Sequence, residues 1–280
     1  MREIESTLII EEVARMCMET NYSLPDDIFK SLIDAIKLEN FNNAKEVLNI
    51  LKNNADLAKN NDLPICQDTG MACIYVEIGQ EVHVSGNLNE AINEGVRKGY
   101  QEGYLRKSVV ADPVLHRVNT GDNTPAIIHY KIVSGDKLKI TVAPKGFGSE
   151  NMCRIAMMKP SDGIEGIKSF ILDTVEKAGP NPCPPMVIGV GIGGTFDSVG
   201  YLAKKAMLKR TDEYHPDKEY ALIEKEMLEK INALGIGPAG FGGRTTALSL
   251  HIETYPTHIA GMPVAVAICC HAARHQEVIL

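Results

Sequence analysis

No stretch of the 280-residue sequence is apolar for long enough to cross a bilayer. The longest, residues 186–194 and 263–270, fall far short of the ~20 residues that a transmembrane helix needs. The N-terminal segment MREIESTLIIEEVARM carries acids among its apolar positions, so it lacks the unbroken apolar core of a secretory signal. A basic excess is also missing. The chain has 29 Lys and Arg against 36 Asp and Glu, a net charge of −7. Nucleic-acid binding would need a basic face to displace counterions, so no nucleic-acid partner is expected, and no membrane partner. A local anion site needs only a few placed bases and stays open. Internal repeats, low-complexity tracts and Pro/Gly/Ser-rich linkers are absent. The expectation is therefore one domain over 1–280, with a helical N-terminal region over 1–60 and the chemistry in 61–280. Seven cysteines are an odd number for a disulfide framework. They fit a reducing, cytoplasmic setting, where thiols act as core fillers, nucleophiles or metal ligands.

What is present is ordinary globular material, 44% hydrophobic and 23% charged. A chain this long can bury a large core. Apolar positions at three and four spacing predict helices over 5–19 (Leu8, Ile9, Val13, Met16), 27–39 (Ile28, Leu32, Ile33, Ile36) and 43–57 (Val47, Leu48, Leu51). Asp26 and Asp27 follow Pro25 as an N-cap. A strand is expected over 73–78 and a helix over 88–104. Two strands, 126–133 and 137–143, joined at Ser134-Gly135-Asp136, read as a hairpin. A polar glycine loop follows at 145–151. Helices are expected over 163–178, 198–209 and 217–234, with strands over 186–191, 245–253 and 263–270. The chain stops soon after the last strand, with a His/Arg cluster and no closing helix, as a chain with a missing partner would. The fold class is mixed α/β (α+β), a helical N-terminal region packed on mixed sheets, with strand order left open.

Three cysteines stand out by their neighbours. Cys66 lies in PICQDTG, Cys183 in PNPCPP and Cys270 in CCHAARH, each in a turn-forming or strand-ending context. Prolines on both sides of Cys183 restrict the backbone and leave few amide donors, which suits a rigid presenting loop. Cys17, Cys73, Cys153 and Cys269 read as core thiols. Zinc would want a fourth ligand, and His271 or His275 is available. Three thiolates alone instead suit a four-iron cluster with one iron open to substrate.

The run VIGVGIGG (187–194) contains G-x-G-x-x-G between a strand and a helix, a dinucleotide signal on paper. A ribose-binding acid should then end a second strand about 20 residues on. Asp212 and Glu213 follow a lysine-rich helix with no such strand, so the fingerprint fails. The other reading is a close-packed crossing whose glycines let the backbone approach something closely, a cluster or an anionic substrate.

The segments ICQDTG, LRKSVV, KGFGSEN, NPCPPMVIGVGIGGTFD and THIAGMPVAVAICCHAARH, in that order from Leu63 to His275, resemble the iron–sulfur hydro-lyases, namely class I fumarate hydratases and L-tartrate dehydratases. The resemblance is to the half that forms a separate alpha chain in two-subunit members. It implies a [4Fe–4S] cluster held by Cys66, Cys183 and Cys270 with one open iron. It implies substrate contacts from Gln67, Arg106 and the backbone of Gly148, and catalytic roles for Asp68 and His258. The family's loop is more often KGGG, and Phe147 departs from it. The partners implied are a separate beta subunit carrying the rest of the site, and a small dicarboxylate substrate, in a hetero-oligomer of alpha and beta chains.

The chemistry suits those residue types. Eliminating water from a 2-hydroxy diacid needs help for a poor leaving group and a base for a weakly acidic C–H. An open iron assists the first. An arginine grips a carboxylate with a bidentate fork. The expected reaction is reversible hydration of fumarate to L-malate. L-tartrate dehydration, a mesaconate-type hydration and a non-catalytic cluster-binding protein are the alternatives. By themselves, Asp68 beside Thr69-Gly70 also reads as a turn former, Arg106 as a helix-end charge and His258 as a loop histidine. His271, Arg274 and His275 also read as a solvated terminus or a patch facing the partner chain.

Overall fold

The computed structural model describes residues 2–280. In chain order the elements begin with β1 (Arg2–Glu5), α1 (Ser6–Tyr22), α2 (Asp26–Leu38) and α3 (Asn42–Asn61). Next come β2 (Met71–Gly79), β3 (Val82–Ser85), α4 (Leu88–Glu102), β4 (Ile127–Val133) and β5 (Leu138–Lys145). The short α5 (Phe147–Glu150), β6 (Arg154–Met158), α6 (Gly163–Ala178), β7 (Met186–Gly194) and α7 (Phe196–Ala206) follow. The chain continues through α8 (Lys218–Ala233), β8 (Ala247–Thr257), β9 (Met262–Cys269) and β10 (Gln276–Ile279). This is the mixed helix-and-strand fold expected. It divides into two units: residues 1–25, 55–147 and 274–280, and residues 26–54 and 148–273. The N-terminal helical region is thus shared out, with α1 in the first unit and α2 in the second.

The first unit is built on a sheet of order β10-β5-β2-β4. β2 is central, antiparallel to β5 (Ile74 beside Val142) and parallel to β4 (Cys73 beside Ile127). Alternation along β2 turns Ala72, Ile74 and Val76 to one face. There they join Ile9, Val13 and Met16 of α1 and Ile92, Val96 and Tyr100 of α4, all buried. Each such aliphatic side chain contributes about 1.5–3 kcal/mol of burial. α1 and α4 approach closely because α4 has glycines at the crossing. A Cβ on Gly99 would come within 2.7 Å of the Ala14 carbonyl oxygen.

β4 and β5 do not form the expected hairpin. Both strands exist, but β2 lies between them. The 134–137 connection instead wraps the end of β2, where Gly79 N–H donates to the Lys137 carbonyl at 2.9 Å and Glu81 N–H to the Gly135 carbonyl at 3.0 Å. A Ser-Gly-Asp turn is compatible with either route. The bare Gly79 backbone admits the wrap, because a Cβ there would sit 2.2 Å from the Gly135 oxygen. The chain's last segment is a short strand: β10 adds to β5 as an antiparallel edge.

The second unit holds a sheet of order β6-β9-β7-β8. All nine residues of β7 are buried. Ile188, Val190 and Ile192 meet Ile171 and Val175 of α6 and Met227 and Ile231 of α8. The intervening glycines meet α7: Cβ atoms on Gly189 and Gly191 would lie 2.0 Å from the Ala203 oxygen and 2.4 Å from the Val199 oxygen. The glycine run is therefore part of the strand, and at Gly189 and Gly191 its backbone approaches α7. Asp26 and Asp27 lie within the first turn of α2, not before it. The Asp27 carboxylate accepts the Thr211 N–H at 2.8 Å instead of serving as the expected cap.

Candidate functional site

In the first unit the ICQDTG loop precedes β2 and gathers three other motifs onto two residues, Asp68 and Thr69. The Asp68 carboxylate accepts the Gly70 N–H at 3.0 Å, an Asx turn, and with its second oxygen the Phe147 N–H at 2.9 Å. That second bond joins ICQDTG to KGFGSEN. Thr69 Oγ1 donates to the Arg106 carbonyl at 3.0 Å, joining LRKSVV. Arg274 Nη2 donates to the Asp68 carbonyl at 2.9 Å, joining CCHAARH. Arg274 is buried, 6% exposed, so the solvated-terminus reading fails for it. A carbonyl out of water is matched there by a charged donor, the stronger class of hydrogen bond.

Two residues not singled out in the sequence brace the same loop. Tyr100, fully buried on α4, donates its hydroxyl to the Thr69 carbonyl at 2.7 Å. Asn123, also fully buried, donates Nδ2 to the Gly70 carbonyl at 3.1 Å and accepts the Ser108 N–H at 2.7 Å. Asn123 adopts φ 63, a conformation that asparagine tolerates better than most residues. The sequence signal for it was the turn string Asp-Asn-Thr-Pro (122–125). Tyr100 gave none, since it sits at an ordinary core position.

Cys66 is half-buried, and its Sγ accepts the Asp68 N–H at 3.4 Å. Gln67 and Arg106 are exposed. Arg106 lies beyond the end of α4, past Tyr104, so it is no part of that helix.

The remaining candidates belong to the second unit. Cys183 is exposed at φ 54, a left-handed conformation costly for a residue with a Cβ. Its N–H donates to the Pro180 carbonyl at 3.1 Å. Its carbonyl faces His271, at 3.3 Å from the backbone N–H and 3.0 Å from Nδ1. His271 follows Cys270, so these two cysteine segments are brought together. Half-buried Cys270 opens a turn closed by the Ala273 N–H on its carbonyl at 3.0 Å. Gly148 is exposed within α5, and His258 is exposed in the β8–β9 connection, where its Nδ1 accepts the Ala260 N–H at 3.1 Å.

The other four read as core thiols in the sequence, and Cys153 departs from that reading, being half-buried like Cys66. Cys17, Cys73 and Cys269 are buried, and burial pushes the Cys17 thiol up to about 12. Cys153 Sγ accepts the Ile268 N–H at 3.2 Å. None of the seven is in a disulfide. Among the described residues, no three His, Cys, Asp or Glu side chains are gathered as a metal-holding group. Among them, too, no helix is long and apolar enough to cross a membrane.

Comparison with known proteins gives a consistent result. The family model for fumarate hydratase (Fumerase) matches residues 10–279. A Methanocaldococcus jannaschii protein named "Putative L(+)-tartrate dehydratase subunit alpha" is 43% identical over 272 residues, covering 95% of each chain. The L(+)-tartrate dehydratase subunit alpha of Escherichia coli O157:H7 is 29% identical over 276 residues, 97% of this chain and 90% of that one. The protein of that name from Escherichia coli strain UTI89 is 30% identical over 270 residues, 95% of this chain and 88% of that one.

Proposed function

The chain belongs to the fumarate hydratase (Fumerase) family of hydro-lyases, and from that premise we propose that it is the alpha subunit of a [4Fe–4S] enzyme that reversibly hydrates fumarate to L-malate. The observation that carries this reading is the meeting of motifs at Asp68 and Thr69, with Phe147, Arg106 and Arg274 all bonded to those two residues. A loop braced from so many sides is a presenting loop.

Cys66, Cys183 and Cys270 are the proposed cluster ligands. Their chemistry fits. None of the three is a core thiol, Cys66 already accepts a backbone N–H at sulfur, and Cys183 is held out by a strained backbone. When bound, such a cluster supplies a Lewis-acidic iron for the hydroxyl that leaves.

The chain's own residues take the other tasks. Arg106, with its side chain in solvent, binds a substrate carboxylate through two parallel N–H bonds. Gln67 and the Gly148 backbone donate further hydrogen bonds that fix the diacid's orientation. In elimination a base takes the C3 proton as the C2–O bond breaks, the departing hydroxide gains a proton to become water, and the carbon–carbon double bond of fumarate is left. Asp68 and His258 are the proposed proton-handling groups of this chain. Asp68 already accepts two amides, which holds its carboxylate still. The beta subunit supplies the rest of the site.

The relatives' names favour a second reading, the alpha subunit of an L(+)-tartrate dehydratase. L-malate and L-tartrate differ by one hydroxyl. The two chains, purified and mixed without oxygen, decide. Turnover of L-malate well above that of L-tartrate supports the first reading, and the reverse order supports the second. Activity on neither, with the cluster in place, would leave a cluster-binding protein without catalysis.

A further inference from the structure

Arg106 stands in a stretch, residues 105–109, that lies outside every helix and strand. Side chains and neighbouring loops therefore supply the partners of its backbone groups. Leu105 is buried, and its N–H donates to the Tyr100 carbonyl at 3.0 Å. Past Leu105 the stretch is tied twice to the loop of Asp68. Thr69 Oγ1 donates to the Arg106 carbonyl at 3.0 Å. Asn123 makes the second tie, accepting the Ser108 N–H on Oδ1 at 2.7 Å and donating Nδ2 to the Gly70 carbonyl at 3.1 Å. One buried amide therefore spans the gap between two motifs.

Asn123 is itself fixed from both sides by α4. Before it, Arg97 Nε of α4 and the Thr124 N–H donate to the Asp122 carboxylate at 2.9 and 3.0 Å. After it, the Ala126 N–H donates to Asn93 Oδ1 of α4 at 2.9 Å. The residue type is also specific. An ionised aspartate has no donor for the Gly70 carbonyl, and alanine reaches neither group. The φ of 63 narrows the choice further.

We propose that Asn123 is a positioning residue that acts through Arg106. It clamps the Arg106 stretch to the Asp68 loop and so keeps the guanidinium where it meets the substrate carboxylate. The Arg106 side chain is exposed, so the backbone beneath it fixes where the guanidinium starts. A displaced guanidinium loses one of its two parallel bonds, and with it the fixed angle of the bound diacid. Asn123 itself is 0% exposed and touches no substrate. This inference rests on the diacid-binding role proposed above for Arg106.

The test is a double-mutant cycle on the assembled enzyme of alpha and beta chains. It is read as kcat/KM for whichever of L-malate and L-tartrate the wild type turns over faster. Asn123→Gly removes the amide and keeps the backbone, since glycine takes φ 63 without strain. It should lower kcat/KM about tenfold, mostly through KM, the worth of one charged hydrogen bond. In the Arg106→Ala enzyme the same change should cost less than about twofold, because no guanidinium is left to place. An equal loss in both enzymes would make Asn123 a support of the fold alone and overturn the proposal, as would no loss in either. If Asn123→Gly does not fold, Thr69→Val, which cuts the other tie and keeps the side chain's shape, decides by the same pattern. A wild type that turns over neither acid is seen before any variant is made; it would overturn the proposed function and this inference with it.

Discussion

Asp68 and Phe147 are 79 positions apart, yet the Asp68 carboxylate accepts the Phe147 N–H at 2.9 Å while its other oxygen closes a turn on Gly70. One side chain therefore sets the shape of its own loop and fastens it to a second. Asp68→Asn retains only one acceptor oxygen. It should lower stability by about 1–2 kcal/mol through the unmet amide and reduce turnover by about 10²–10⁴. Thermal unfolding and steady-state kinetics on the assembled enzyme read the two effects separately. Full turnover with lowered stability would make Asp68 a tie alone.

Arg106 is held by its backbone, through the bond from Thr69, and its side chain is in solvent. Arg106→Ala should leave the fold and the cluster's visible absorbance unchanged and raise KM strongly. Arg106→Lys should recover little, because an ammonium cannot make the paired bonds of a guanidinium. Recovery to wild-type KM with lysine would show that charge alone suffices.

The glycines of β7 serve packing. Gly189→Ala would put a methyl 2.0 Å from the Ala203 oxygen, a backbone atom that cannot swing aside. The loss of stability should reach or exceed the upper end of the ~1–3 kcal/mol typical of overpacking. A calorimetric titration of the wild-type chain with NAD should show no binding. Saturable NAD binding would restore the dinucleotide reading.

His251 makes stability depend on pH with a definite sign. Its folded pKa is about 4, below the ordinary 6.5. Between those values the unfolded chain takes up a proton that the folded chain refuses. The contribution is therefore complete above pH 6.5 and is lost as pH falls toward 4, by up to ~1.4 kcal/mol per unit. Urea unfolding at pH 7, 6 and 5 should show this slope, and His251→Gln should flatten it. An unchanged slope in the variant would assign the effect elsewhere.

Much of the fold could be read from apolar spacing. α6 falls where the pattern put it, and α1, α4, α7 and α8 lie within a few residues. Pairing could not be read that way. The β4–β5 turn carries hairpin residues, but insertion of β2 between the strands depends on contacts formed far along the chain. The short strands β1, β3, β6 and β10 have four or five residues each, too few to show a period. At the candidate site, the motif residues were visible as unusual neighbours of cysteine. Their braces were not: Tyr100 and Asn123 act through a hydroxyl and an amide whose partners lie 31 and 53 positions away.

The thiolate set is the centre of the account, and iron counting tests it most directly. The chain is reconstituted without oxygen using iron and sulfide. Cys66→Ser, Cys183→Ser, Cys270→Ser and, as control, Cys153→Ser are treated alike. The wild type and Cys153→Ser should hold about four irons per chain with visible charge-transfer absorbance, and each of the other three should lose most of both. Full iron content in Cys66→Ser, Cys183→Ser or Cys270→Ser would contradict the assignment.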